Sequence, residues 1–333
     1  MQRILIIQTA FIGDVVLATS LLESLHQSFP TLAIDILVRK GNESLFNDHP
    51  FLHNTLIWDK KKSKYRNLFG LLSQIRKQHY DVVVNVQRYA ATGFLTAFSR
   101  ADLRIGFDKN PFHFFFNRVI PHQMLAGKGL HEIERNHQLI QVLGDFPLHK
   151  PKLYPSLADD SAVLKLKQHV YICIAPSSVW YTKQFPEHKW IKFIQSLPNE
   201  LMVYLLGAPL DQVLCERIIA ATGKHNCINL AGKYSFLQSA SLMKNALMNY
   251  VNDSAPMHFC SATDAPVTAV YCSTIPAFGY GPLSSLNHIV EINKPLACRP
   301  CGTHGKKHCP LNHFDCAEKI DNAQLQYSLP PSF

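Results

Sequence analysis

The stretch from Arg3 to Phe29, RILIIQTAFIGDVVLATSLLESLHQSF, decides the fold class. It begins with an uninterrupted apolar run, as expected of a parallel strand that is buried on both faces. A turn carrying one acid, Asp14, comes next, and the remaining residues have a helical pattern. The turn lacks the spacing of a P-loop and the G-x-G-x-x-G fingerprint of dinucleotide-binding proteins. The stretch therefore predicts a strand–turn–helix unit of an α/β protein, with an acid at the turn.

The same alternation of strand and helix continues to the end of the chain. Further strands are predicted at 32–38, 80–86, 104–107, 170–175, 201–206 and 267–271, with a short one at 227, and 247–251 is a short apolar lead into the motif that follows it. Pro147, Pro151 and Pro155 mark the approach to a linker between two halves. The pattern therefore predicts two domains with open parallel sheets, residues 1–160 and residues 161–333.

Composition indicates a folded protein without a membrane span. Apolar residues make up 47% of the 333 residues and charged residues 17%, which is enough to form real cores. No apolar run reaches the ~18 residues that a spanning helix needs. The first apolar run is interrupted by Gly13 and Asp14 before a signal peptide could form, so a buried strand is the favoured interpretation. These features predict a cytoplasmic protein.

The chain is basic, with a formal charge of +9. Residues 1–150 contain 18 Lys or Arg and 12 Asp or Glu, so the excess lies mainly in the first half. This distribution suits a polyanionic partner or an anionic membrane surface. A nucleic-acid partner is not predicted, because the sequence has no helix-turn-helix, RNP or zinc-finger pattern.

Two segments of the first half leave alternatives open. The basic run from Lys60 to Arg66 is either a solvated face or a contact for substrate phosphates. The aromatic and basic residues 109–130, with HFFF at 113–116, form either core packing and a loop or a lip that faces an acceptor.

In the second half, the stretch from Tyr250 to Ala262, YVNDSAPMHFCSA, predicts an anion site. A short apolar lead runs into Asn252, Asp253 and Ser254, and a small-residue turn opens a helix. Asp253 or Ser254 can cap that helix, and its free backbone N–H groups can hold a phosphate.

Four segments together resemble the bacterial lipopolysaccharide heptosyltransferases. They are TAFIGDVVLATSLL at 9–22, SSVWYTKQFPEHKW at 177–190, NLAGKYS at 229–235 and NDSAPMHFCSATDAPVTAVY at 252–271, in order and at suitable spacing. This is glycosyltransferase family 9, which uses ADP-heptose, and ACRPCGTHGKKHCP at 297–310 is similar to its heptosyltransferase II branch.

The resemblance implies a GT-B fold, in which two Rossmann-like domains face each other across a cleft. Residues 1–160 would bind the acceptor and residues 161–333 the ADP-sugar. The implied activity is inverting, metal-independent transfer of heptose from ADP-heptose to the lipopolysaccharide inner core on its lipid A precursor, with no required cofactor. It also implies peripheral contact with the anionic inner membrane at its cytoplasmic face. The alternatives are a same-fold transferase that uses another nucleotide sugar and a non-catalytic protein that binds nucleotide sugar or lipopolysaccharide.

The resemblance also assigns two catalytic residues. Asp14 matches the acid of the Gly-Asp-Val motif and would be the general base that takes the proton from the acceptor hydroxyl; a helix N-cap is the alternative role. Lys183 would stabilise the diphosphate as a point charge without a metal.

Binding residues follow from the same motifs. The donor would contact Ser177, Ser178, Thr182, Asp211, Asp253, Ser254, Ala255, Met257 and His258. Asp253 would accept from sugar hydroxyls or orient the loop, Ala255 stands where the family often has Gly, and His258 is favoured as a core or supporting residue. The acceptor would contact Gly13, Gln87, Arg88 and His131.

The nine cysteines divide into two groups. Five occur singly and are predicted to be buried reduced thiols: Cys173, Cys215, Cys227, Cys260 and Cys272. The other four, Cys298, Cys301, Cys309 and Cys316, have the ligand type of a structural zinc site. Their irregular spacing favours a loop of reduced thiols over zinc.

Overall fold

In the computed structural model, the described residues are 1–61, 63–123 and 129–329. The chain divides into two compact units, Met1–Tyr154 and Pro155–Phe333. The sequence placed this division after residue 160.

The first unit is built on a six-stranded, wholly parallel sheet. Its strands are β1 Arg3–Ile7, β2 Ala33–Arg39, β3 Leu52–Trp58, β4 Val82–Asn85, β5 Leu103–Phe107 and β6 Arg118–Ile120. Its helices are α1 Ile12–Ser28, α2 Lys64–Gln78, α3 Ala90–Ala97 and α4 Glu132–Gln141. The central strands β1 and β4 are almost fully buried, which explains their continuous apolar sequences.

The second unit repeats this architecture. Its strands are β7 Tyr171–Ala175, β8 Met202–Leu205, β9 Cys227–Asn229, β10 Met248–Asn252, β11 Val267–Tyr271 and β12 Asn287–Glu291, again all parallel. Its helices are α5 Leu157–Val163, α6 Glu187–Ser196, α7 Gln212–Thr222, α8 Phe236–Lys244, α9 Ala255–Thr263, α10 Asp315–Glu318 and α11 Ala323–Tyr327. Cys173, Cys215, Cys227, Cys260 and Cys272 are buried free thiols, as predicted.

Both sheets have the strand order of a Rossmann fold. The first runs β3-β2-β1-β4-β5-β6 and the second β12-β11-β10-β7-β8-β9. In each sheet the connection reverses direction between two central strands, β1 and β4 in one and β7 and β10 in the other. Open α/β sheets bind ligands beyond the carboxyl ends of the strands at such switch points. The topology therefore selects two places at which functional residues should be sought.

Among the described residues, no helix is both long enough and apolar enough to cross a membrane.

Candidate functional site

At the switch point of the second unit, Asn252 fixes the loop that follows β7. Its side chain is fully buried at the end of β10. The Asn252 Nδ2 donates to the carbonyls of Pro176, at 2.9 Å, and Ser177, at 3.2 Å, while Oδ1 accepts from the Phe185 N–H at 2.9 Å. One amide thus clamps both ends of residues 176–185 against β10. A buried amide needs such partners, because leaving it unsatisfied would cost about 1–3 kcal/mol.

This loop carries Lys183 to the end of β10, where it pairs with Asp253. The Lys183 Nζ lies 2.6 Å from Asp253 Oδ2, and only 16% and 7% of the two side chains are exposed. Thr274, just beyond β11, donates from Oγ1 to the same carboxylate oxygen at 2.6 Å. The pairing positions the ammonium at the switch point. Because an ammonium has three donors, Lys183 retains capacity for an anionic ligand.

Thr182 ties the same loop to the segment before Cys309. Its buried hydroxyl accepts from Ser273 Oγ at 3.0 Å and from the Lys306 N–H at 2.8 Å. Gly305 completes the contact, because a Cβ at that position would lie 2.4 Å from the Trp180 Cβ and 2.9 Å from the Lys183 Cγ. The Thr182 hydroxyl is thus engaged within the protein, and its contact with a donor stays a prediction.

The start of α9 lies beside this ion pair and has no side-chain cap. Ser254 occupies the N-cap position, but its Oγ donates back to the Asn252 carbonyl at 3.3 Å. The prediction that Asp253 or Ser254 caps the helix with its side chain is therefore wrong, since the Asp253 carboxylate is engaged by Lys183 and Thr274. Without a side-chain cap, the first N–H of α9, that of Ala255, is placed to receive an anion.

Two other residues of α9 face the core. The Met257 side chain is fully buried, and its sulfur accepts from Tyr271 OH at 3.3 Å. The Met257 N–H donates to the Ser254 carbonyl at 3.1 Å. His258 is also buried. Donor contacts by Met257 and His258 stay predictions, and one from Met257 would require these bonds to break.

The remaining donor candidates lie at the neighbouring strand ends. The carbonyl of Ser177 contacts Asn252, and that of Ser178 accepts from Gln184 Nε2 at 2.6 Å. Asp211 follows β8, and its Oδ2 accepts from the Ala208 N–H at 2.7 Å. These positions are compatible with a ligand along this edge of the sheet, and their contacts with it stay predictions.

At the switch point of the first unit, amide and ammonium groups hold the turn that follows β1. Gln8 Oε1 accepts from the Ala10 N–H at 3.2 Å and from Gln87 Nε2. Asn42 Nδ2 donates to the Ala10 carbonyl at 3.2 Å, and Lys60 Nζ to the Thr9 carbonyl at 2.8 Å. The structure therefore gives Gln87, which is only 7% exposed, a part in fixing this turn.

The turn places Asp14 in the first turn of α1. The N-cap is Phe11, so the alternative that Asp14 caps the helix is wrong. Arg39, at the end of β2, has its guanidinium 4.9 Å from the centre of the Phe11 ring. Burial lowers the pKa of Arg39, and the negative charge of Asp14 partly offsets that effect. The Arg39 guanidinium and the Asp14 carboxylate therefore lie within electrostatic range of each other.

Sequence reasoning missed Arg39. The signal that could have found it is its position at the carboxyl end of a strand, the rule that selected Arg88.

The other acceptor candidates are spread along the first unit. Gly13 is buried in the first turn of α1, and Arg88 is exposed just beyond β4. Arg88 lies close enough to His122 to add to the lowering of the pKa of His122, of which burial is the main cause. His131 is the N-cap of α4, where its Nδ1 accepts from the Ile133 N–H at 3.3 Å. In the basic run, Lys62 lies outside the described residues, whereas Lys61 and Arg66 are exposed.

The clustered cysteines lie on the segment around α10. Cys298 Sγ is 3.9 Å from His313 Nε2, and the Cys301 thiol donates to the Cys298 carbonyl at 3.3 Å. Burial raises the pKa of the Cys309 thiol, but the backbone N–H groups of residues 311–314 outweigh it and leave that pKa lowered. Within the described ranges, no group of three or more His, Cys, Asp or Glu is arranged to hold a metal ion. The zinc interpretation gains no support from this arrangement.

The chain is similar to known proteins over most of its length. The sequence profile of the family described as glycosyltransferase family 9 (heptosyltransferase) matches residues 68–311. Lipopolysaccharide heptosyltransferase 3 of Escherichia coli K12 is 26% identical over 278 residues, which cover 79% of this chain and 80% of that protein.

Two solved structures share the fold over nearly the whole chain. Escherichia coli ADP-heptose lipopolysaccharide heptosyltransferase II has a TM-score of 0.79 at 20% identity and covers 99% of this chain and 97% of its own. The Escherichia coli heptosyltransferase WaaC with ADP-2-deoxy-2-fluoro heptose has a TM-score of 0.73 at 18% identity and covers 100% of both chains. The predicted GT-B fold is confirmed.

Proposed function

Since this chain belongs to glycosyltransferase family 9, the heptosyltransferase family, we propose that it transfers heptose from ADP-heptose to the inner core of lipopolysaccharide. Family membership makes it a glycosyltransferase. The ADP-heptose donor and the inner-core acceptor are inferred from what the similar proteins are named for. Those relatives belong to different branches, so the heptosyltransferase II assignment stays a prediction.

The observation that carries the proposal is the Lys183–Asp253 pair beside the uncapped start of α9. An ADP-sugar places two phosphates where positive charge must stabilise the departing ADP. A lysine ammonium and the Ala255 N–H at the start of α9 supply such charge from the chain itself. We therefore propose metal-independent donor binding, in which Asp253 and Thr274 position Lys183. Ser177, Ser178, Thr182, Asp211, Ser254 and Ala255 complete the proposed donor site.

Asp14 is the proposed general base. In an inverting transfer its carboxylate takes the proton of the acceptor hydroxyl while that oxygen bonds to the anomeric carbon of heptose. The bond from that carbon to ADP breaks with its electron pair on ADP, so one displacement inverts the configuration. General-base catalysis of this kind contributes about 10²–10⁴-fold to a rate. Arg39 lies within electrostatic range of this carboxylate and would hold it in place.

The first unit is the proposed acceptor-binding domain. Arg88 is exposed at the end of β4, and Arg suits carboxylate and phosphate groups of the kind that an acidic inner core carries. Gly13, Gln87 and His131 are further acceptor candidates. Since the proposed acceptor is built on a lipid, the protein would work at the cytoplasmic face of the inner membrane.

A donor screen tests the function directly. Thermal shifts are measured with ADP, UDP and GDP, followed by transfer from ADP-heptose to a deacylated inner-core acceptor. We expect stabilisation by ADP above the other two, release of ADP and a heptose-sized gain in acceptor mass. Selective stabilisation by UDP or GDP would favour another nucleotide sugar, and ADP binding without transfer to any acceptor would favour a non-catalytic binder. Activity that chelators abolish and added metal restores would contradict metal independence.

A further inference from the structure

The positive charge of the chain is concentrated in one stretch of its sequence. Residues 60–123 contain twelve Lys or Arg and three Asp, a formal charge of +9, which equals that of the whole chain. The remaining residues are therefore neutral in sum. Of the three acids, Asp81 bonds the backbone N–H groups of Gln2 and Arg3, and Asp108 pairs with Lys109 at 3.4 Å.

The same stretch of sequence also exposes aromatic rings, most of which contact one another. Phe69 on α2, Phe98 after α3, and Phe114 and Phe115 before β6 are 60%, 37%, 82% and 55% exposed. Phe94 links Phe69 and Phe98, because its ring centre lies 5.7 Å from that of Phe69 and 5.0 Å from that of Phe98. The ring centres of Phe98 and Phe115 are 5.8 Å apart. Contiguous exposed apolar surface of this kind normally marks an interaction site.

Basic side chains lie next to these rings. Arg76 on α2 donates from Nε to the Phe98 carbonyl at 2.8 Å. Arg104 and Arg118, on the paired strands β5 and β6, both bond Asn117, two residues after Phe115. Within the described part of the chain, no carboxylate is within ion-pair distance of these three arginines. We call Phe69, Phe98, Phe114, Phe115, Arg76, Arg104 and Arg118 the aromatic–basic surface.

We propose that the aromatic–basic surface binds an anionic phospholipid bilayer. Phenylalanine rings would enter the boundary between headgroups and acyl chains, and the arginines would contact lipid phosphates. The proposal gives the expected membrane contact a location on this chain. It goes beyond the proposed transfer reaction, because binding to lipid requires neither donor nor acceptor sugar.

Two observations favour a bilayer over other partners. Nucleic acid is disfavoured, because the sequence has no helix-turn-helix, RNP or zinc-finger pattern. A second copy of the chain would bring the same positive charge against itself, which is unfavourable. An anionic bilayer complements both the charge and the apolar rings.

Vesicle flotation tests the proposal with the full-length protein. Vesicles of phosphatidylcholine alone are compared with vesicles that also contain phosphatidylglycerol, and neither carries lipopolysaccharide. We expect flotation with the anionic vesicles only, and its loss at high salt. Equal binding to both vesicle types, or to neither, would overturn the proposal.

Substitutions locate the contact. Phe114→Ser with Phe115→Ser should lower the partition coefficient about tenfold or more, because two exposed rings no longer enter the interface. Arg118→Gln should lower it about fivefold. Matched controls are Leu157→Ser and Leu210→Ser, which remove exposed leucines of the second unit, and Lys165→Gln, which removes an exposed cation there. These controls should float like the unaltered protein.

Three further measurements separate the alternatives. Thermal melts check that the variants fold. If the double variant does not fold, the single variant Phe114→Ser is tested in its place. If the protein does not float with either vesicle, but binds a single-stranded oligonucleotide that Arg118→Gln does not bind, the surface would be assigned to nucleic acid. Self-association in sedimentation velocity that disappears in the phenylalanine variant would assign it to a second copy. Flotation of all variants like the unaltered protein would also contradict the proposal.

Discussion

At the switch point of the first sheet, Asp14 stands in the first turn of a helix with Arg39 near it, whereas at the switch point of the second sheet Lys183 is paired with a buried aspartate. The two sheets have the same strand order, and in both an asparagine side chain clamps the adjoining turn, Asn42 in one and Asn252 in the other. The difference lies in which charge is left available. The first switch point offers a carboxylate, which suits proton transfer, and the second offers an ammonium and the N–H that begins α9, which suit a diphosphate. The topology thus locates a site, and a few side chains determine its chemistry.

The largest effect is expected from changing Asp14 at the first switch point. Asp14→Asn should lower the transfer rate about 10³-fold, because the amide cannot take the hydroxyl proton. The rate is measured at saturating ADP-heptose. Asp102→Asn, which changes an exposed acid of the same unit, is the control and should be unaffected. Transfer by Asp14→Asn at the native rate would remove the base from this residue.

The second switch point is tested by Lys183→Met. Loss of the ammonium should weaken ADP affinity about 10–100-fold, as expected for a charge-assisted contact worth about 1.5–3 kcal/mol. Affinity is measured by calorimetry, with Lys192→Met on the exposed face of α6 as the control. If ADP binds both variants equally well, Lys183 lies outside the donor site.

The neighbours of Lys183 should have graded effects. Asp253→Asn removes the charged partner and should raise the KM for the donor about tenfold, since the ammonium is no longer held in place. Thr274→Val removes one hydroxyl donor to the Asp253 carboxylate and leaves the ion pair with Lys183 in place, so a smaller effect of about threefold is expected. A larger effect of Thr274→Val than of Asp253→Asn would mean that Asp253 acts independently of Lys183.

The smallest expected effect is on the stability of the first unit and not on the transfer reaction. His49 packs between Phe51 and Tyr154, and its Nδ1 accepts from the Leu52 N–H at 3.2 Å. Burial, followed by the charge of His26, lowers the pKa of His49 to about 4. As pH falls below about 6.5 the unfolded chain takes up a proton that the folded chain does not, so stability falls. Between pH 7 and pH 5 this should cost about 1 kcal/mol, allowing for partial exposure of the ring.

Chemical denaturation at both pH values measures this cost. His49→Leu should lose less stability than the unaltered protein on going from pH 7 to pH 5. An equal loss in both proteins would show that other groups carry the acid sensitivity.

The sequence predicted the central strands and missed three at the edges of the sheets. Strands β1, β4, β7 and β10 are buried on both faces and therefore appear as continuous apolar runs. The strands β3, β6 and β12 lie at sheet edges. Their sequences, LHNTLIW, RVI and NHIVE, are partly exposed, so they lack the apolar run that identifies a buried strand.

The candidate site was predictable only in its parts. Lys183 and Asp253 were each selected from their motifs, but they are 70 positions apart, and only the pairing of β7 with β10 brings them together. The missing cap of α9 could not be predicted either. The Ser254 hydroxyl donates to the Asn252 carbonyl instead, and the Asp253 carboxylate is engaged by Lys183 and Thr274, a residue that lies 21 positions away.

The most direct test of the proposed division between the two switch points compares ADP binding and heptose transfer in Asp14→Asn and Lys183→Met. ADP affinity is determined for Asp14→Asn, and the single-turnover transfer rate at saturating ADP-heptose is determined for Lys183→Met. We predict that Asp14→Asn binds ADP within about twofold of the unaltered protein while transferring heptose about 10³-fold more slowly, and that Lys183→Met requires far more donor to reach saturation. Loss of ADP binding in Asp14→Asn to the same extent as in Lys183→Met would contradict the division.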